Sequence, residues 1–383
     1  MLRLRPVFST LFLFLVLAGT AAFGQTVSSD PEAEAADQKI MAAPQPDATK
    51  DRLLKGGTTA GGNTASEIQT GQPASGSPQG GITLFQRMDV PLPPLPPEKP
   101  YTGKIDEAYG AYQRGDYLAA MDLSIPKAKA GDAAAQTLIA EMLRNGEGMP
   151  QDLTQAAFWY GKAAEQGDPN AMLHYALLLL SGSGGIARDK AKSDAYMEMA
   201  AKAGQPVAAF NWAQVLVAEK PGPEGLKAAL PFYEVSAEKG IPDAQYALSQ
   251  IYITLAGVEP DKRKTARDWL MRAARAGYDT AQFDLASWLI NGTEGERDLE
   301  SGFKWMKIAA SRGHVLAQNK LAHLYINAIG TKPDPVEAIK WYVLSRRAGL
   351  KDLDLQDYFL GVEDATQTAG IEAANRFRQT LTQ

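Results

Sequence analysis

Histidine is the side chain best suited to metal binding and proton transfer near neutral pH, and the 383-residue chain holds three: His174, His314 and His323. His314 and His323 are nine residues apart. At about 100° per residue that spacing sets them on opposite sides of a helix, so one face cannot offer both to a metal. His174 lies far upstream of either. Asp352, Asp354 and Asp357 approach a calcium-loop pattern, but the sixth position of that pattern carries Asp357 rather than glycine, and the stretch reads as a polar helix start. Asn291-Gly-Thr293 has the form of a glycosylation acceptor, without meaning in most bacteria. No Gly-x-Ser-x-Gly elbow, phosphate loop or His-Glu-x-x-His motif occurs. The chain has no cysteine, which excludes disulfides, thiolate metal sites, a cysteine nucleophile and a lipidated cysteine. The expectation is a protein that is not an enzyme and uses neither metal nor cofactor.

What the sequence does contain is a period. Gly131, Gly167, Gly204, Gly240, Gly277, Gly313 and Gly349 recur every 36 or 37 residues. Four residues after each of the first six stands an alanine: Ala135, Ala171, Ala208, Ala244, Ala281 and Ala317. Eight residues before each of the last six stands an aromatic: Trp159, Tyr196, Phe232, Trp269, Trp305 and Trp341. Phased anchors at this spacing mean stacked supersecondary units. In each unit a first helix (helix A) carries apolar residues 4, 8, 11 and 12 positions after the marker glycine, one helical stripe, with a small residue at +9 that admits a close neighbour. A turn follows, then a second helix (helix B) bearing the aromatic. The next marker glycine ends it as a left-handed cap.

The stretch Ala135 to Leu143, then Asn145-Gly-Glu-Gly-Met-Pro-Gln-Asp152, then Ala156 to Gly167 resembles the Sel1-like repeat, a relative of the tetratricopeptide repeat. The resemblance covers about residues 131–349. It implies an all-α fold: a right-handed α-solenoid of stacked helix–turn–helix units whose helices A line a concave surface. It also implies an adaptor or regulator within protein complexes. Some exported members bind the periplasmic domain of a membrane sensor kinase in bacteria that make exopolysaccharide. The turns at 218–225, 256–261 and 331–335 depart from the pattern, so local irregularity is expected there.

The domain plan follows. Residues 1–24 read as a signal peptide, with Arg3 and Arg5 ahead of a short apolar core and small residues before Gln25. That core is too short to span a bilayer, so no membrane insertion of the mature chain is expected. Residues 25–100 are rich in Gly, Ser and Pro and too poor in apolar residues to fold. The proline run at 90–100 is a spacer or a docking segment. Residues 101–131 form a degenerate first repeat or cap, 132–349 six repeats, and 350–383 closing helices, with Asp364 as a cap and Ile371, Ala374, Phe377 and Leu381 on one stripe. The expected location is the periplasm, with secretion as the variant. The net charge of −5 argues against nucleic acid as a partner.

Taking +8 as the direction of the core, offsets +6, +10 and +13 point away from it. In the middle units these positions hold Leu173, Phe210, Tyr246, Phe283 and Ile290 beside Gln214, Gln250 and His323. Two readings stand. The face is buried by superhelical curvature, or it is an apolar groove with a polar rim for a protein partner. A cell-wall or polysaccharide-associated structural role, with the aromatics stacked on sugars, is the alternative.

Overall fold

The computed structural model describes residues 31–41 and 106–378. The signal-peptide reading, most of segment 25–100 and Leu381 lie outside them. All regular structure among the described residues is helical. Ahead of the repeats come α1 (Pro31–Met41), α2 (Glu107–Gln113) and α3 (Tyr117–Lys129). The first three A–B pairs are α4 (Ala133–Asn145) with α5 (Leu153–Glu165), α6 (Pro169–Ser181) with α7 (Lys190–Lys202), and α8 (Pro206–Glu219) with α9 (Pro223–Glu238). In the fourth, α10 (Pro242–Thr254) is followed by a short α11 (Pro260–Lys264) and α12 (Ala266–Arg275). The last two are α13 (Asp279–Asn291) with α14 (Leu299–Ser311), and α15 (Val315–Ile326) with α16 (Pro335–Arg347). Two closing helices follow, α17 (Leu353–Gly361) and α18 (Asp364–Arg376).

The chain forms two compact units. One runs to Trp269, and the other comprises α1 and the chain from Leu270 onward. In the first, each helix from α2 to α10 packs on its neighbours in sequence, so every B helix lies between its own A helix and the next. In the second, α13 to α16 repeat that order, while α18 packs on α16 and α1 on both α16 and α17.

Short-range rules explain the element ends. All seven marker glycines have positive φ, between 82° and 98°, and end the preceding helix as the spacing predicts. The residue after the glycine is the N-cap of the next helix A: Asp132, Asp168, Gln205 and His314 each accept a hydrogen bond from the N–H three residues on. Helix B starts on its own aspartate in four units, at Asp152, Asp189, Asp298 and Asp334. The irregular third unit substitutes Gly222, at φ 105° and without a side-chain cap, and a longer helix B.

A device not apparent in the periodicity locks successive units. Gln136, Gln245, Gln282 and Gln318, each five residues past its marker glycine, are buried and donate through Nε2 to a main-chain carbonyl of the preceding helix B. The acceptors are Ala128, Ala237, Ala274 and Ala310, at 3.0, 3.1, 3.0 and 3.2 Å. Each of these carbonyls, in the last helical turn, also accepts from the N–H of the marker glycine, and the glutamine fills its second lone pair. The second and third units carry Met172 and Ala209 at this position.

Two expectations are corrected. Segment 25–100 is not wholly without structure, because Pro31–Met41 is helical. Ala36 and Ile40, one turn apart, bury a small apolar face that the composition of the segment as a whole conceals. The cap of the last helix is Glu363, which makes no side-chain cap bond; Asp364 is the first helical residue and pairs with Lys39 of α1 instead. Gln367, Gly370 and Ala374 are its buried residues, Ile371 is half-buried, and Phe377 lies edge-on to Trp341.

Candidate partner-binding face

The outward face of the A helices is displaced from the one that +8 defines. Offsets +4 and +9 are buried in all six units, and +5 is buried as well. The buried arc is therefore centred nearer +5 and +12 than +8, and its opposite side falls at +3, +10 and +14, with +7 at its margin, buried at Leu138 and Ala247 but not at His174. The signal for this was in the sequence, in the recurrent glutamine at +5. Along the true outer edge, +14 is exposed throughout, reading Asn145, Ser181, Ala218, Thr254, Asn291 and Asn327. Offset +10 is half-buried except at Leu177, which is 39% exposed.

The eight candidates separate accordingly. In the compact unit that ends at Trp269, Leu173 is a core residue, 3% exposed, and does not belong to the face. Phe210 is half-buried with its ring edge-on to Tyr233 at 6.0 Å. Gln214 donates to the Tyr233 hydroxyl at 2.9 Å, and burial raises the tyrosine's pKa. Tyr246 and Gln250 are half-buried. In the compact unit that starts at Leu270, Phe283 stacks on His314 at 4.8 Å, and Ile290 packs so closely on Gly302 of α14 that a Cβ there would lie 2.6 Å from it. Offsets +6 and +13 thus serve packing between helices, which is why they are apolar. Offset +10 carries the polar side chains that reach solvent.

Both described units hold a histidine–carboxylate pair on this edge. His174 lies 3.2 Å from Glu141, and this contact, against the opposing effect of burial, holds the Glu141 carboxyl below its usual range. His323 lies 2.9 Å from Asp352. Burial works to raise the Asp352 carboxyl, but His323, Asn319 and the Leu355 N–H together outweigh it and lower it. Asp352 is thereby the cap of α17, as the polar-helix-start reading has it. His314 acts through Nδ1, which accepts from the Ala317 N–H, and burial lowers its pKa. Among the described residues no three His, Asp or Glu side chains group as metal ligands.

A pH dependence follows from Asp352. A carboxyl whose folded pKa is lowered adds stability that is present above its unfolded value of about 3.9 and is lost as pH falls through the folded one. The stability gap between the parent and Asp352→Asn should be steady above about pH 5 and shrink below about pH 4. Urea midpoints of both chains across that range measure it.

Antiparallel helix pairs, each stacked on the next with a glycine stop and a small-residue seam, define an α-solenoid repeat protein. The Sel1 repeat model matches residues 133–168, 169–205, 242–278, 279–314 and 315–350, and the chain belongs to the Sel1-repeat proteins. The third unit, with its glycine-capped helix B, lies between the matched segments. Chitin synthase regulatory factor 3 of Schizosaccharomyces pombe is 30% identical over 48% of this chain and 20% of its own length, so the chain spans about a fifth of that relative. The Sel1-repeat-containing protein YjcO of Escherichia coli K12 is 27% identical over 44% of this chain and 72% of its own. Among solved structures, a Sel1 repeat protein from Oxalobacter formigenes aligns with a TM-score of 0.50 at 27% identity, covering 63% of this chain and 98% of that one. A protective antigen of uropathogenic Escherichia coli with an SLR fold also gives 0.50, at 23% identity over 71% and 67% of the two chains.

Proposed function

We propose that the chain is an exported, non-enzymatic adaptor of the bacterial periplasm that holds a protein partner on the outer edge of its A helices. As a Sel1-repeat chain it is a protein-interaction scaffold. The observation that carries the finer reading is the makeup of that edge. A row of side chains that form hydrogen bonds (Glu141 as acceptor, His174, Gln214 and Gln250) runs beside exposed apolar contacts at Leu177 and Val207. Polar rims around an apolar centre suit protein recognition. Export is supported by the charged and apolar segments of residues 1–24, and a regulatory role in envelope signalling or exopolysaccharide production by the resemblance to exported regulators. The fission yeast relative is named as a regulatory factor of a polysaccharide synthase, in keeping with a regulator rather than a catalyst.

The test is affinity capture of the mature protein from periplasmic extract, followed by binding measurements on the purified partner. Leu177→Glu combined with Gln250→Arg should weaken a stoichiometric protein partner by roughly tenfold or more, as loss of a central contact does. Phe158→Glu with Met199→Glu, at exposed positions of B helices, should leave binding intact. If the second pair abolishes binding and the first does not, the edge of the A helices is the wrong face.

A further inference from the structure

The far end of the array is equipped differently from the joints within it. Three residues before the marker glycine, earlier units carry Ala128, Ala164, Ala201, Ala237, Ala274 and Ala310. All are buried, as close stacking of the following unit requires. Before Gly349 the same position is Arg346, only 9% exposed. An arginine there cannot accept another repeat in the ordinary way, and a guanidinium this buried demands a fixed anionic partner. That partner is Asp37 of α1. Arg346 Nε donates to Oδ1 at 2.9 Å, and a second bond joins its Nη2 to Oδ2, the two-pronged geometry that suits arginine to a carboxylate.

The neighbouring contacts complete a socket. Arg347 Nε donates to the Ile40 carbonyl at 2.6 Å, satisfying the C-terminal end of α1, while its Nη1 holds Asn375 at 2.8 Å. Ile40 is fully buried, and Ala36 nearly so. Lys39 reaches across to Gln367 at 2.8 Å and Asp364 at 3.2 Å. Recognition thus reads four features of the ligand: a carboxylate, an aliphatic residue three positions later, a flanking cation and a helix end. Residues 42–105 lie between this ligand and the array in the sequence.

We propose that the face formed by α16, α17 and α18 around Arg346 and Arg347 is a helix-binding site, with α1 as its resident ligand within the chain. The same site accepts in trans an amphipathic partner helix that ends in a carboxylate and an aliphatic residue spaced as Asp37 and Ile40. A ligand tethered through a long segment competes at an effective concentration of about millimolar or below, so a partner in trans can displace it. This site is separate from the edge of the A helices and does not depend on that reading.

The probe is a fluorescent synthetic peptide of residues 30–42, titrated into the full mature chain and followed by anisotropy. Ile40→Asp, which removes the resident ligand's buried anchor, should bind the peptide roughly tenfold or more tightly than the parent does. Adding Arg346→Ala to Ile40→Asp should abolish that binding. Charge exchange guards against simple unfolding: with Ile40→Asp and Arg346→Asp together, the chain should reject the native peptide and take one carrying Asp37→Arg. In the parent, excess unlabelled peptide should hasten amide exchange of the chain's own residues 31–41. The proposal fails if Ile40→Asp binds no better than the parent, or if binding is indifferent to residue 346.

Discussion

Replacing Trp341 by alanine should cost about 3–5 kcal/mol, the range for removing a large aromatic from a packed core. Trp341 is the largest fully buried side chain of the described residues, at 1% exposure. Its indole N–H donates to Glu337 Oε2 at 3.0 Å, its ring meets Phe377 edge-on at 5.2 Å, and the Lys340 ammonium sits 4.5 Å above it. All of these contacts come from the last unit and the closing helix. Because a solenoid is stabilised by nearest-neighbour terms, the loss should fall on the C-terminal end and leave distant repeats intact. Urea unfolding read by hydrogen exchange should show an early transition confined to α15–α18. Trp159, the same position in the first repeat, is only half-buried, and Trp159→Ala should cost clearly less.

The second large effect is expected at Gly330, in the irregular turn of the sixth unit. Its φ is 68°, and a Cβ there would lie 2.0 Å from the Leu299 carbonyl oxygen and 2.9 Å from the Phe303 Cβ. The obstruction is mostly backbone, which cannot swing aside. Gly330→Ala should therefore destabilise by about 3 kcal/mol or more, joining left-handed strain to overpacking. Gly240→Ala supplies the comparison. That glycine, at φ 90°, has nothing within 4 Å of where a Cβ would stand, so backbone strain alone, about 1–2 kcal/mol, should register. Thermal melts of the two variants should differ by several degrees.

These two glycines illustrate what was legible beforehand. Gly240 belongs to the ladder, whose spacing announced helix ends, and its positive φ needs no tertiary information. Gly330 is outside the ladder, and its constraint comes from a helix start thirty-one residues earlier, which no local pattern reveals. The face of the A helices was legible only in part. Apolar periodicity located the helices correctly, but the outward direction was set from +8, and the buried Gln245 and Gln282 at +5, being polar, give no apolar signal of where the buried arc is centred. Leu173 was drawn onto the surface by that choice of direction. Helix α1 escaped notice because its buried face amounts to Ala36 and Ile40 and the rest of its binding is ionic, through Asp37, Lys39 and the carbonyl held by Arg347. Such a helix is specified by its socket more than by itself.

The glutamine bridges also decide how the chain can change length. Each bridge crosses a marker glycine, so the piece that holds together is a helix B with the helix A after it, not the pair that the period outlines. Excising residues 278–313 would bring Gln318 to the Ala274 carbonyl and remake the joint with its own parts. Excising residues 132–167 would bring Met172 to the Ala128 carbonyl that Gln136 now serves, leaving that carbonyl to the Gly131 N–H and the joint without its side-chain bond. Copy number is therefore freely editable at some joints and resisted at others, and duplication or loss of units should leave its traces at the glutamine-bearing ones.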